Sequence, residues 1–344
     1  MLSAKAVRTA VTAYPTGNKA FAVLQAFPGA FSAEESDPFL MCDHFSAVSS
    51  GLAQHEDQFM VDWHPHRGFD LCTYMTAGTG RHADSMGNRC SFASPGIQWI
   101  SAGSGIEHAE AGGTPAGEQQ TGFQIWVNVP SALKMQPPRY GTDGPDRLPL
   151  LAPAPGVSVR LLAGSSGSST GPFRTVQSIQ MADFVLAAAA ACSHSLMAEH
   201  DNALLYIHQG SGSIAGAAVQ SGQVVQLDTA SSSSRQFALE AGPEGMSALL
   251  FSGKRLNQPV AWHGPFVRTQ ALEGEPLHLH RPPHPLPSHT LPPLSPLLSP
   301  LWQVMTTDAE IRETIAEYRK GTFLKERAPW DYKVKAAAPP GTYS

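Results

Sequence analysis

Between residues 19 and 143, short apolar runs alternate with breaks that contain glycine or proline. They read FAVLQAFPG at 21–29, DPFLMCDHF at 37–45, FDLCTYMTAGTG at 69–80, SPGIQWISAGSG at 94–105 and TGFQIWVNVP at 121–130. Runs this short, closed by turn formers, predict the strands of a sandwich or barrel rather than helices. A glycine-serine stretch at 164–171 interrupts the pattern. Strand-like runs then resume with FVLAAAA from Phe184, NALLYIHQGSGSIAG from Asn202, GQVVQLD from Gly222 and ALLFSG from Ala248. A second β-unit is expected there. TYMTAGTG at 73–80 and LYIHQGSG at 205–212 both lead a strand into a G-x-G turn, which suits an internal duplication. A strand followed by a glycine turn is also common in any β protein.

Helical spacing emerges near the C-terminus. Thr307-Asp308-Ala309-Glu310 matches a capping box, and Ile311, Ile315 and Tyr318 follow on one face before Gly321. One short amphipathic helix is predicted, its apolar stripe packed on a β-core. Before it, the stretch from Leu272 to Leu301 is dominated by proline, leucine and histidine. Prolines withhold backbone donors, so this stretch is expected to be extended and to belong to neither core. Its histidines, His278, His280, His284 and His289, lack a rigid scaffold and are not expected to hold metal.

With 344 residues the chain suits two domains, and 42% hydrophobic against 15% charged residues, with 31 Gly and 29 Pro, fits a turn-rich β protein. A net charge of -5 leaves no basic footprint, so direct nucleic-acid binding is not expected. No apolar run approaches the length of a membrane span, and no membrane association is expected. Cys42, Cys72, Cys90 and Cys192 form no C-x-x-C pair. That argues against a zinc knuckle or a disulfide framework and for a reducing compartment, the cytoplasm and/or nucleus. Met1 to Ala13 carries Lys5 and Arg8 without acids but has no cleavage pattern. It is read as a first strand and not as an organellar leader.

The chemistry concentrates in DWHPHRGFD and SAGSGIEHAE. Residues two apart on a strand share a face, so His64 and His66 can present both rings to one point. His108 and Glu110 repeat the spacing. A lone H-x-H also occurs as an ordinary polar-face pair; two such pairs brought together in one small barrel would offer three imidazoles and a carboxylate. With no thiolate, this set suits six-coordinate Fe(II) with positions left for O2 or a chelating substrate, and Mn, Ni, Cu and Zn also fit it. The second unit offers His194, His200 and His208 without such pairing, and is expected to be metal-free.

HPHRGFDLCTYMTAGTGRHADSMGNR followed by SPGIQWISAGSGIEHAE resembles the signature of the pirin family, and the likeness extends through DPFLMCDHF, FQIWVNVP, GKRLNQPV and EIRETIAEYRKGTF. The resemblance implies an all-β fold of two tandem cupin, jelly-roll type barrels with a short C-terminal helix. It implies metal ligation by His64, His66, His108 and Glu110. One position departs from the pattern: Asp70 stands where the family usually has Glu, and a supporting role behind the ligands is expected for it. Arg67 and Gln98 are further candidates to line the pocket or orient ligands. Phe69, Met75, Trp99 and Trp126 are candidates to wall an aromatic cavity.

The domain boundaries expected from this likeness are 1–145 for the metal-binding cupin and 146–267 plus 305–325 for the metal-free one. An insert at 268–304, either a translated intron or a lineage-specific addition, and a tail at 326–344 complete the chain. The function implied is a quercetin 2,3-dioxygenase type of activity on a small aromatic chelating substrate and O2, with Glu110 as a candidate base. The alternative is a redox-sensing co-regulator that binds a protein partner without catalysis.

Overall fold

The computed structural model describes residues 1–12, 21–49, 57–231, 234–263 and 302–342. The proline-rich histidines lie outside them. Among the described residues the strands gather into three large sheets and a two-stranded ribbon, with two α-helices, Ala33–Ser36 and Asp308–Arg319. The expected β architecture is found.

Two of the sheets form the first barrel. A six-stranded sheet carries, in order, Ala261–His263, Trp302–Met305, Val61–Arg67, Ile106–Gly112, Thr79–Asp84 and Arg89–Ala93. A seven-stranded sheet carries Arg139–Asp143, Gly96–Ser101, Phe69–Ala77, Gln119–Asn128, Phe39–Val48, Phe21–Phe27 and Val11–Thr12. They meet over a cluster that includes Leu40, Met41, Leu71, Ile106, Trp126 and Val304. The second unit is a nine-stranded antiparallel sheet folded around Phe184, Leu205, Ile207, Phe237 and Leu250.

Strand alternation decides how the two units join. On Phe69–Ala77, Leu71 enters the first barrel, whereas Cys72 and Tyr74 point the other way, into a cluster shared with Leu204, Tyr206, Leu249 and Phe251. The seven-stranded sheet is therefore covered on both faces. One face serves the site and the other glues the two units back to back.

Three expected boundaries differ from what the chain does. The strand Ala4–Thr9 pairs with Gln223–Leu227, so the start of the chain completes the second unit's sheet rather than the first. Residues 305–325 pack on the first barrel, not the second. The reason is Arg67, which is only 2% exposed and needs partners. It donates to the Ser104 carbonyl at 2.8 Å, to Thr314 Oγ1 at 3.1 Å and to the Phe323 carbonyl at 2.9 Å, and it pairs with Glu317 at 2.8 Å. The predicted capping box is present, with Thr307 Oγ1 accepting from the Glu310 amide and Glu310 from the Thr307 amide.

The third difference concerns the expected insert. Trp302–Met305 is a strand, antiparallel to Ala261–His263 and parallel to Val61–Arg67, with Trp302 opposite His66. Val304 is fully buried in the first barrel's core, and its carbonyl accepts from Lys134 Nζ at 3.2 Å. Residues 302–304 thus belong to the sheet that bears the histidines. Gly68 allows this approach: its φ of +85° is a glycine conformation, and a Cβ would strike the Val304 carbonyl. Part of the expected tail is ordered too, with Tyr332 against Trp63 and its hydroxyl donating to Glu107 Oε2 at 2.5 Å.

Candidate metal centre

His64 and His66 stand on Val61–Arg67, and His108 stands directly opposite His64 on the antiparallel neighbour Ile106–Gly112. The i, i+2 spacing and this register turn all three rings to one point. One ligand atom from each lies within 4.8 Å of the other two. All three rings are buried, and their centroids are 4.3 to 4.7 Å apart.

A metal fits this group on two independent grounds. His108 is fully buried, and neither of its ring nitrogens has a hydrogen-bond partner among the described residues. An imidazole left so is costly unless a ligand satisfies it. His64 Nδ1 sits 2.7 Å from the Asp62 carbonyl, which as a donor contact places the lone pair on Nε2. Burial pushes the His64 imidazole down to about 4 and His108 well below the usual range, the neighbouring rings adding to the effect at His108. Both are neutral at physiological pH, the form that ligates.

Glu110 stands outside the three-histidine group. The register shifts between His108 and Glu110, and one oxygen of the Glu110 carboxylate, Oε1, is met by neighbours. Gln98 Nε2 donates to its Oε1, and the Thr73 hydroxyl lies 3.2 Å from the same atom. Burial raises the Glu110 carboxyl, while His82, Thr73 and Gln98 pull it the other way. Glu110 and two of the histidines, His64 and His66, line a cavity of about 470 Å³ walled by Met41, Phe45, Met75, Phe92 and Trp126.

The other expected site residues divide. Gln98, Met75 and Trp126 line the cavity. Phe69 lies beneath it, 4.5 Å from the Trp126 ring centroid. Trp99 faces the shared core of the two units. Arg67 points to the C-terminal helix and not to the cavity. Asp70 also turns away: two residues from Cys72, it shares that face of the sheet and takes a 2.6 Å hydrogen bond from Ser101 Oγ. The expected support of the ligands by Asp70 is therefore corrected. The parity of the strand, visible in FDLCTYM, already excludes it.

Asp70 carries a testable cost. Its Oδ2 has no partner among the described residues, and burial pushes its carboxyl up to about 6. A raised carboxyl stabilises the fold below the unfolded value near 3.8, and that contribution is lost as pH rises through 6. Asp70→Asn, which keeps the Ser101 acceptor, should stabilise the protein by up to about 3 kcal/mol at pH 7. The gain should vanish near pH 4, and metal content should be unchanged. Denaturant unfolding at the two pH values checks this.

Sequence reading missed His82, Asp84, Thr73, Gln124 and Asp43. His82 is paired with Glu110 in register, bonds to Asp84 Oδ2 at 3.0 Å and stacks on Tyr140 at 4.3 Å. Its signal was RHAD, where His82 and Asp84 share the i, i+2 spacing. Thr73 and Gln124 could have been found by parity with Met75 and Trp126.

The chain matches the pirin family over residues 20–127 and the pirin C-terminal cupin domain over residues 181–277. A pirin-like protein of Caulobacter vibrioides is 33% identical over 260 residues, which cover 75% of this chain and 90% of the relative. The chain belongs to the pirin family. Another relative, the "Putative quercetin 2,3-dioxygenase" of Pseudomonas aeruginosa, is 32% identical over 77% of this chain and 92% of its own. Among solved structures, a quercetin 2,3-dioxygenase from Acinetobacter baumannii superposes with a TM-score of 0.74 at 24% identity, covering 94% of this chain and 98% of that one. The fold is thus that of a pirin bicupin, two cupin domains in tandem. No helix among the described residues is long and apolar enough to cross a membrane.

Proposed function

We propose that this pirin is a metal-dependent oxygenase of the quercetin 2,3-dioxygenase type, with one mononuclear iron held by His64, His66 and His108 and with Glu110 as fourth ligand. The observation that carries this reading is a buried, neutral imidazole triad, two of whose rings open onto an apolar cavity large enough for a fused-ring substrate. The likeness to the Pseudomonas "Putative quercetin 2,3-dioxygenase" supports the same substrate class. Mn, Ni, Cu and Zn are accepted by the same donor types.

The iron would supply Lewis acidity and a redox-active centre at which a chelating substrate and O2 can meet. The protein's own residues do the rest. The Asp62 carbonyl fixes the His64 tautomer. Trp126, Met41 and Met75 exclude water from the cavity floor. Glu110, whose carboxyl burial makes more basic, takes the proton of a substrate hydroxyl. Gln98 holds its carboxylate in place for this.

Oxygen uptake by iron-loaded protein with quercetin tests the reading. Turnover above that of free iron is expected, with a loss of at least about a hundredfold in His64→Ala. Equal uptake in wild type and variant would refute it.

A further inference from the structure

The cavity floor is banded. Cross-strand register places Gln25 opposite Asp43, Asp43 opposite Gln124, Gln124 opposite Thr73 and Thr73 opposite Gln98. These residues form one polar row across five strands of the seven-stranded sheet. One step along the strands toward His66 lies the apolar row Met41, Trp126, Leu71, with Trp126 edge-on to His66 at 5.6 Å. One step the other way lie Phe45 and Met75, flanking Gly122.

At one end the polar row meets Glu110 through Gln98. The hydrogen bonds then run from Gln98 to Thr73 at 3.0 Å and from Thr73 to Gln124 Oε1 at 2.6 Å. At the other end Gln25 donates to Asp43 Oδ1 at 2.9 Å. Among the described residues no hydrogen bond joins Asp43 to Gln124, although they face each other. The row is broken there, at a carboxylate 8% exposed that lines the cavity.

We infer that Asp43 is a specificity-determining residue, which accepts a hydrogen bond from a hydroxyl on the end of the substrate remote from the chelating oxygens. The inference rests on the proposed flavonol-type reading of the site. Three strand spacings separate Asp43 from Gln98, the residue that holds Glu110, about 14 Å across the sheet, a span that suits a substrate with a further hydroxylated ring beyond the one that chelates. The carboxylate accepts and cannot donate when ionised, so it selects a hydroxyl over a methoxy group or bare ring at that end.

The test is the affinity of iron-loaded, anaerobic protein for galangin, kaempferol and quercetin, read by quenching of tryptophan fluorescence. The three share the chelating edge and carry zero, one and two hydroxyls on the remote ring. Wild type should bind kaempferol and quercetin about tenfold more tightly than galangin. In Asp43→Ala the three affinities should converge to within about twofold. Asp43→Asn, which keeps the shape, should lose most of the preference, and thermal melts verify that both variants fold. Iron-dependent binding with equal affinity for all three, or a preference that survives in both variants, overturns the role of Asp43 alone. Binding of none of them, or binding that His64→Ala leaves intact, overturns the flavonol reading with it.

Discussion

His108→Ala should leave the protein without tightly bound metal, its affinity lower by at least about a hundredfold. Of the three rings, that of His108 is the most deeply enclosed, and its two nitrogens find no hydrogen-bond partner among the described residues. Its removal leaves His64, His66 and the more distant Glu110, and takes away the imidazole that closes the triad. Metal analysis after dialysis against a mild chelator should find about one ion per wild-type chain and close to none in the variant. The apo variant should fold normally or slightly better than apo wild type, because an unsatisfied buried imidazole is gone. Equal metal content in the two proteins would show that the ion is held elsewhere.

Arg67→Ala should cost about 3–5 kcal/mol, the largest effect on stability expected from any residue beside the site. The guanidinium is buried and serves two carbonyls, one hydroxyl and the Glu317 carboxylate, with its carbon 4.4 Å from the Phe323 ring centroid. Truncation would strand these acceptors and release the helix Asp308–Arg319 from the barrel. A fall in melting temperature of about 10 °C is expected, together with faster amide exchange in residues 308–323. Arg67→Lys should recover only part of it, since a compact ammonium cannot reproduce the planar fork. A melting temperature within about 2 °C of wild type would contradict the account.

The histidine triad was legible in the sequence because its geometry is local. H-x-H on one strand fixes a face through strand parity, and the pirin resemblance supplied its pairing with His108, whereas the register shift between His108 and Glu110 was not visible in the H-x-E spacing. Parity also decides Asp70 and Trp99, which lie on the opposite face of the sheet from Thr73, Gln98 and Met75. What the sequence could not show is non-local. Residue types alone do not reveal that Arg67 reaches 247 and 256 residues along the chain to Thr314 and Phe323 or that Trp302–Met305 returns beside His66. The polar row from Gln25 to Gln98 is likewise assembled from five separate strands, and only register brings it together. The strand Ala4–Thr9 joins the second unit for the same reason, as its partner lies more than 200 residues away.

One metal is expected among His64, His66 and His108 in the first cupin. Anomalous diffraction from crystals of the iron-loaded protein, collected at the iron edge, tests it most directly. A single peak per chain is predicted, with the three imidazole nitrogens and a Glu110 oxygen each at about 2 Å. A peak elsewhere, or no peak at this triad in protein that retains its iron, would contradict the claim.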